Sequence, residues 1–168
     1  MGTVAGDDGP GRWVLLAYRM PREPSRPRIA VWRKLERLGV ARLGDGLVAL
    51  PADARTREQF DWTAEEVVEA GGTATVWLAA PSTMAQEQQI AAAMREARAA
   101  EYQAVIDEAA AARTGAEPER TRAVRRLRSE LHRIGRRDFF PPHEREAARA
   151  AVRALADAEV ADVLGEPS

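Results

Sequence analysis

Residues 13–19 read WVLLAYR, an apolar run that meets a charge only at its last position. Such a run suits a strand covered on both faces in the middle of a sheet. A central strand needs partners, so the rest of the chain must supply further strands and the helices that cover them. The run is far below the ~20 apolar residues of a membrane span. Asp7 and Asp8 stand where a signal peptide would carry basic charge. A cytoplasmic protein with no membrane partner is expected.

The partners follow in order. Pro21, Pro24 and Pro27 enforce an extended connection. Ile29, Val31, Trp32, Leu35 and Leu38 then share one side of a helix that Gly39 ends. Val40–Leu43 and Leu47–Leu50 are two short strand-like runs around Gly44-Asp45-Gly46, a hairpin signal closed by Pro51. Thr56 is placed to cap a second helix that turns Phe60, Ala64, Val67 and Val68 inward. Gly71-Gly72 stop it, and TATVWLA at 73–79 is the last strand. Strand, helix, strand, strand, helix, strand predicts an α+β fold with a ferredoxin-like four-stranded antiparallel sheet (βαββαβ) over residues 12–82. Trp13, Trp32 and Trp77 fall on core elements of it, and residues 1–11 read as a disordered leader.

Composition shapes what comes next. Of 76 hydrophobic residues 34 are alanine, leaving 42 larger side chains, enough for one modest core and for helices with narrow apolar stripes. Residues 83–168 fit this as a three-helix C-terminal extension packed on the sheet domain. One helix covers Met84 to Arg113, with Ile90, Met94, Tyr102 and Val105 in its stripe. A second reaches Arg137 on Val124, Leu127, Leu131 and Ile134, after a break at Gly115 and Pro118. Pro141-Pro142 separate a third, from His143 to Val163. Alanine faces bury little area per residue, so a homodimer is an expected partner arrangement.

Net charge is −1, but it is unevenly spread: nine basic and four acidic groups over residues 1–44, five and thirteen over 45–118, eleven and nine over 119–168. Arg120, Arg122, Arg125, Arg126, Arg128, Arg133, Arg136 and Arg137 face only Glu119 and Glu130 in the second long helix. That density suits contact with DNA phosphates, and equally an internal ion-pairing surface for the acidic middle segment. With the apolar stripe turned inward, the nucleic-acid candidates are Arg122, Arg125, Arg126, Arg133, Arg136 and Arg137, with Arg28 and Arg33 of the first helix as a second patch.

Other chemistries have little footing. The chain has no cysteine, which excludes disulfides, Cys-ligated metals and a thiol nucleophile. His132 and His143 lie too far apart for a helical metal pair, and Glu58, Asp61, Glu65, Glu66 and Glu69 are spaced as a solvated helix face. No cofactor, no metal site and no enzymatic activity are expected, and nothing in the residues marks an effector.

Tyr18-Arg19-Met20-Pro21-Arg22-Glu23-Pro24-Ser25, Val31-Trp32-Arg33-Lys34-Leu35 and Leu47-Val48-Ala49-Leu50-Pro51 together resemble the N-terminal domain of the chromate-resistance regulator ChrB, and Arg137-Asp138-Phe139-Phe140 resembles an element later in that domain. The resemblance spans roughly residues 12–140. It implies a regulatory domain linked to chromate resistance, acting in transcriptional regulation, with a fold related to that of the phenylacetate repressor and CRISPR adaptation nucleases. The alternative is a protein-interaction or dimerisation module without DNA binding. The nucleases place a metal-binding aspartate at the end of the first strand; here Ala17-Tyr18-Arg19-Met20 carries no carboxylate.

Overall fold

The structure, a computed structural model, describes residues 10–164. Among them the order is β1 (Trp13–Arg19), α1 (Ser25–Leu38), β2 (Ala41–Gly44), β3 (Leu47–Pro51), α2 (Ala54–Glu69), β4 (Thr73–Ala79), α3 (Met84–Ala112), α4 (Glu117–Arg136) and α5 (Glu144–Leu164). The strands form one antiparallel sheet in the order β2-β3-β1-β4. The chain is thus mixed α/β, with a four-stranded antiparallel sheet and five helices among the described residues. It divides into two compact units after Ala93, inside α3. The division falls later than the end of β4 because the first turns of α3 return to the sheet. There Glu87 Oε1 accepts from Trp13 Nε1 at 2.9 Å and from the Gly11 amide at 2.7 Å. Gly11, expected in a leader, is therefore tied down, while residues 1–9 of that leader lie outside the described residues.

In the first unit β1 is central, and alternation sorts its side chains. Val14 and Leu16 pair with Leu50 and Val48 of β3, and all four are at most 1% exposed. This is the face on which α2 packs against β1 and β4 and meets α1. Thr56, Phe60, Thr63 and Val67 form the buried stripe of α2. Val68, expected on it, is 57% exposed because it sits about 100° round the helix from Val67. The α2 cap also differs from expectation: Asp53 is the N-cap and Thr56 is N3. Each side chain takes the other's backbone N–H, at 2.7 and 2.9 Å.

The opposite sheet face carries Leu15, Ala49 and Trp77, in register across β1, β3 and β4. Neither α1 nor α2 reaches it. Trp77, expected in the core, is 55% exposed, and Leu15 and Ala17 are half-buried, so β1 is not sealed on both faces. Trp32, also expected in the core, is 48% exposed because Val31 and Leu35 already fill the inner side of α1. Its ring carries the Arg42 guanidinium 5.7 Å from its centroid.

In the second unit α3, α4 and α5 enclose Tyr102, Val105, Leu127, Ile134, Val152 and Leu155, each at most 2% exposed. The expected α4 stripe of Val124, Leu127, Leu131 and Ile134 faces this core, with Leu131 half-buried. Pro118 stands in the first turn of α4 with Glu117 and Glu119, and Arg133 and Arg136 lie in its last turn. That order complements the helix dipole at both ends.

Candidate functional site

The α4 face opposite the core is the most strongly basic helix surface in the second unit. At 3.6 residues per turn, Arg122, Arg125, Arg126, Arg133 and Arg136 fall in a stripe directly across the helix from Val124, Leu127 and Ile134. All five arginines are exposed. From Arg122 to Arg136 the stripe runs about 21 Å at 1.5 Å per residue. Two members hold ion pairs: Arg126 with Glu108 of α3 at 3.0 Å and Arg133 with Glu130 one turn back at 2.7 Å. In both pairs the side chains are at least 37% exposed, a setting in which ion pairs contribute roughly 0–1 kcal/mol. Arg122 donates from Nε to the Pro118 carbonyl at 3.0 Å. Arg122, Arg125 and Arg136 make no ion pair with a described residue. The helix also includes Glu117, which lowers the basic excess read from residues 119–137.

Arg137 departs from the stripe. It lies just past the end of α4, with its side chain 16% exposed and Nη2 on Glu101 Oε1 of α3 at 2.8 Å. It is a tether between helices and presents no free guanidinium outward. The neighbouring Asp138 side chain has no exposed surface. Asp138 Oδ2 accepts the Tyr102 hydroxyl at 2.8 Å, with Arg145 Nη1 3.9 Å from the same oxygen. Burial first, then the hydrogen bond and the Asp138 charge, push the Tyr102 hydroxyl up to about 12. The Arg137-Asp138 pair singled out in the sequence thus fastens the α4–α5 connection to α3. Sequence reasoning missed its partners: Glu101 and Tyr102 lie 36 residues away in the chain, and Arg145 is brought back to Asp138 by the first turn of α5.

In the first unit Arg28 and Arg33 are both exposed on α1 but about 140° apart around its axis, so they do not form one patch. Arg28 lines a groove of about 480 Å³ at the C-terminal end of β1, with Tyr18, Arg19, Met20, Ile29, Trp32, Asp45 and Gly46. Sequence reasoning missed this groove. Its walls come from three separate segments, and the only signal was the hairpin turn at Asp45-Gly46. His132 is exposed and His143 lies against Glu144 at 3.1 Å with its side chain 90% exposed. Among the described residues no cluster of three or more histidines and carboxylates is placed to hold a metal. No described helix is long and apolar enough to cross a membrane.

A half-open antiparallel sheet unit and a three-helix unit with one basic face define a mixed α/β protein whose polarised surface is a helix exterior. The chain belongs to the family described as protein ChrB, N-terminal, which matches residues 28–162. That membership links it to chromate resistance. No curated protein and no solved structure matches the chain.

Proposed function

We propose that this chain is a non-enzymatic regulatory domain of chromate resistance, working in transcriptional control by laying the outer face of α4 along nucleic-acid phosphates. The observation that carries the reading is the stripe of five exposed arginines opposite a fully apolar seam. Duplex DNA carries about a dozen phosphates over the ~21 Å that the stripe spans. Guanidinium groups donate to phosphate in a fixed fork. A non-catalytic role agrees with the end of β1, whose own residues Ala17, Tyr18 and Arg19 include no carboxylate to hold a cation. The sheet order β2-β3-β1-β4 supports reading the first unit as ferredoxin-like.

The test is a gel-shift series with duplex DNA from upstream of the chain's own gene, at low salt, with and without chromate. The parent is expected to bind. Arg122→Glu, Arg126→Glu and Arg133→Glu together should abolish binding and leave the far-ultraviolet circular dichroism unchanged. If the triple variant binds as tightly as the parent, or the parent binds no DNA at low salt, the reading fails.

The alternative, a homodimerising interaction module, is favoured by the partly covered sheet face, where Trp77 is 55% and Leu43 39% exposed although Trp13 and Ala49 are buried. Light scattering at tens of micromolar decides it. A dimer mass that Trp77→Glu reduces to about 18 kDa supports the module. A monomeric parent excludes it.

A further inference from the structure

We propose that the groove at the C-terminal end of β1 binds a nucleotide, stacking its base on Trp32, taking its phosphate on Arg19 and Arg28, and preferring guanine through Asp45. This site is separate from the α4 face and does not depend on it.

The groove's volume of about 480 Å³ falls in the range of small-ligand sites, roughly 300–1,000 Å³. Trp32 lines it while 48% exposed. Val31 and Leu35 anchor α1 without it, so the core does not use the indole. The indole is held in place by Arg42, which does not line the groove. Arg42 sits 5.7 Å from its centroid, and Arg42 Nε and Nη2 donate to Glu36 Oε1 at 3.1 and 2.6 Å. An aromatic surface already fixed in orientation loses little freedom when a base stacks on it.

Charge narrows the ligand. Arg19 and Arg28 are exposed and form no ion pair with a described residue, so both forks are available to an anion. Asp45 brings the opposite requirement, because a carboxylate only accepts. A bare oxyanion would be repelled there, and an aromatic carboxylate has no N–H to offer. A nucleotide carries anionic oxygens at one end and N–H donors at the other. Guanine alone among the common bases presents two adjacent donors on its pairing edge, matching the two oxygens of a carboxylate. Asp45 is also well placed to discriminate, because its turn is pressed onto β1. The Tyr18 amide donates to the Gly46 carbonyl at 2.8 Å, and Gly46 adopts φ 71°, where a Cβ would run into the Tyr18 carbonyl oxygen. Bases in a duplex do not expose this edge, so the nucleotide is either free or part of a single strand.

Two probes separate these sources: calorimetric titration of the full chain with GMP and CMP, and anisotropy with short labelled single strands alternating G and T or C and T. The expected result is saturable binding with guanine preferred. GMP binding identifies a free nucleotide, and strand binding without GMP identifies a strand base. Trp32→Leu and Arg28→Glu, both outside the core, should each weaken binding by about tenfold or more. Asp45→Asn should erase the preference for GMP over CMP. The α4 triple charge reversal should leave the titration unchanged, so failure here and failure of the α4 reading are distinguishable. The proposal is overturned if neither probe binds the parent, or if Trp32→Leu binds as tightly as the parent.

Discussion

Asp138 has no side-chain surface in water, and the Tyr102 hydroxyl is its closest partner, at 2.8 Å. Removing that hydroxyl leaves a buried carboxylate oxygen without its donor, a loss of roughly 1–3 kcal/mol. Tyr102→Phe is therefore expected to lower the urea midpoint at neutral pH. The pair also sets an alkaline limit. Folded, Tyr102 keeps its proton to about 12; unfolded, it ionises near 10.0. The unfolded chain gives up the proton first, so this contribution is intact below about pH 10 and is lost as pH rises toward 12. Unfolding curves between pH 8 and 11.5 should show a steeper alkaline decline for the parent than for Tyr102→Phe. Equal slopes would show that the hydroxyl is not held by this pair. None of this was legible in Arg137-Asp138-Phe139-Phe140 taken alone, because a short motif does not reveal that its acid is buried against a tyrosine one helix earlier. The tryptophans make the same point. Trp13, Trp32 and Trp77 look alike as large apolar residues, yet only Trp13 is buried, at 3% exposed.

Elements were the most legible level, for a local reason. Prolines at 21, 24 and 27 and glycines at 39, 46 and 71 punctuate the first unit, and the last three carry the positive φ that ends a helix or turns a hairpin. Those signals act within a few residues, so strand and helix order can be read from the chain. How far each face of the sheet is covered is decided by packing between distant segments and could not be. Capping lies between these cases: Asp53 and Thr56 form a reciprocal box, and the sequence pattern marks only Thr56, which stands nearer the apolar stripe. Asp53→Ala should cost about 1 kcal/mol in thermal or urea unfolding; no change would show the box to be idle. In α4 the two faces should respond oppositely. Leu127→Ala, at a position 1% exposed, should cost about 2–5 kcal/mol. Arg125→Ala on the outer face should stay within about 0.5 kcal/mol of the parent. A large loss from Arg125→Ala would mean that the arginine stripe serves stability instead of contact.

At the scale of the whole molecule, charge separates along the chain while the total stays near zero. The acidic middle segment takes up only part of the basic helix: Glu108 pairs with Arg126, and Glu101 with Arg137. The internal-pairing reading therefore accounts for Arg137 and weakly for Arg126. It leaves Arg122, Arg125 and Arg136 outward. The role of the stripe as a whole is most directly read from the salt dependence of duplex DNA binding, measured by anisotropy across a potassium chloride series for the parent and for the Arg122→Glu, Arg126→Glu, Arg133→Glu variant. Each phosphate neutralised adds about −0.9 to the log–log slope. The parent should show a slope of about −4.5, from about five contacts, and the variant should bind too weakly to give one at the same salt. A parent slope near zero, or a variant slope equal to the parent's, would contradict the assignment of α4 as the nucleic-acid surface.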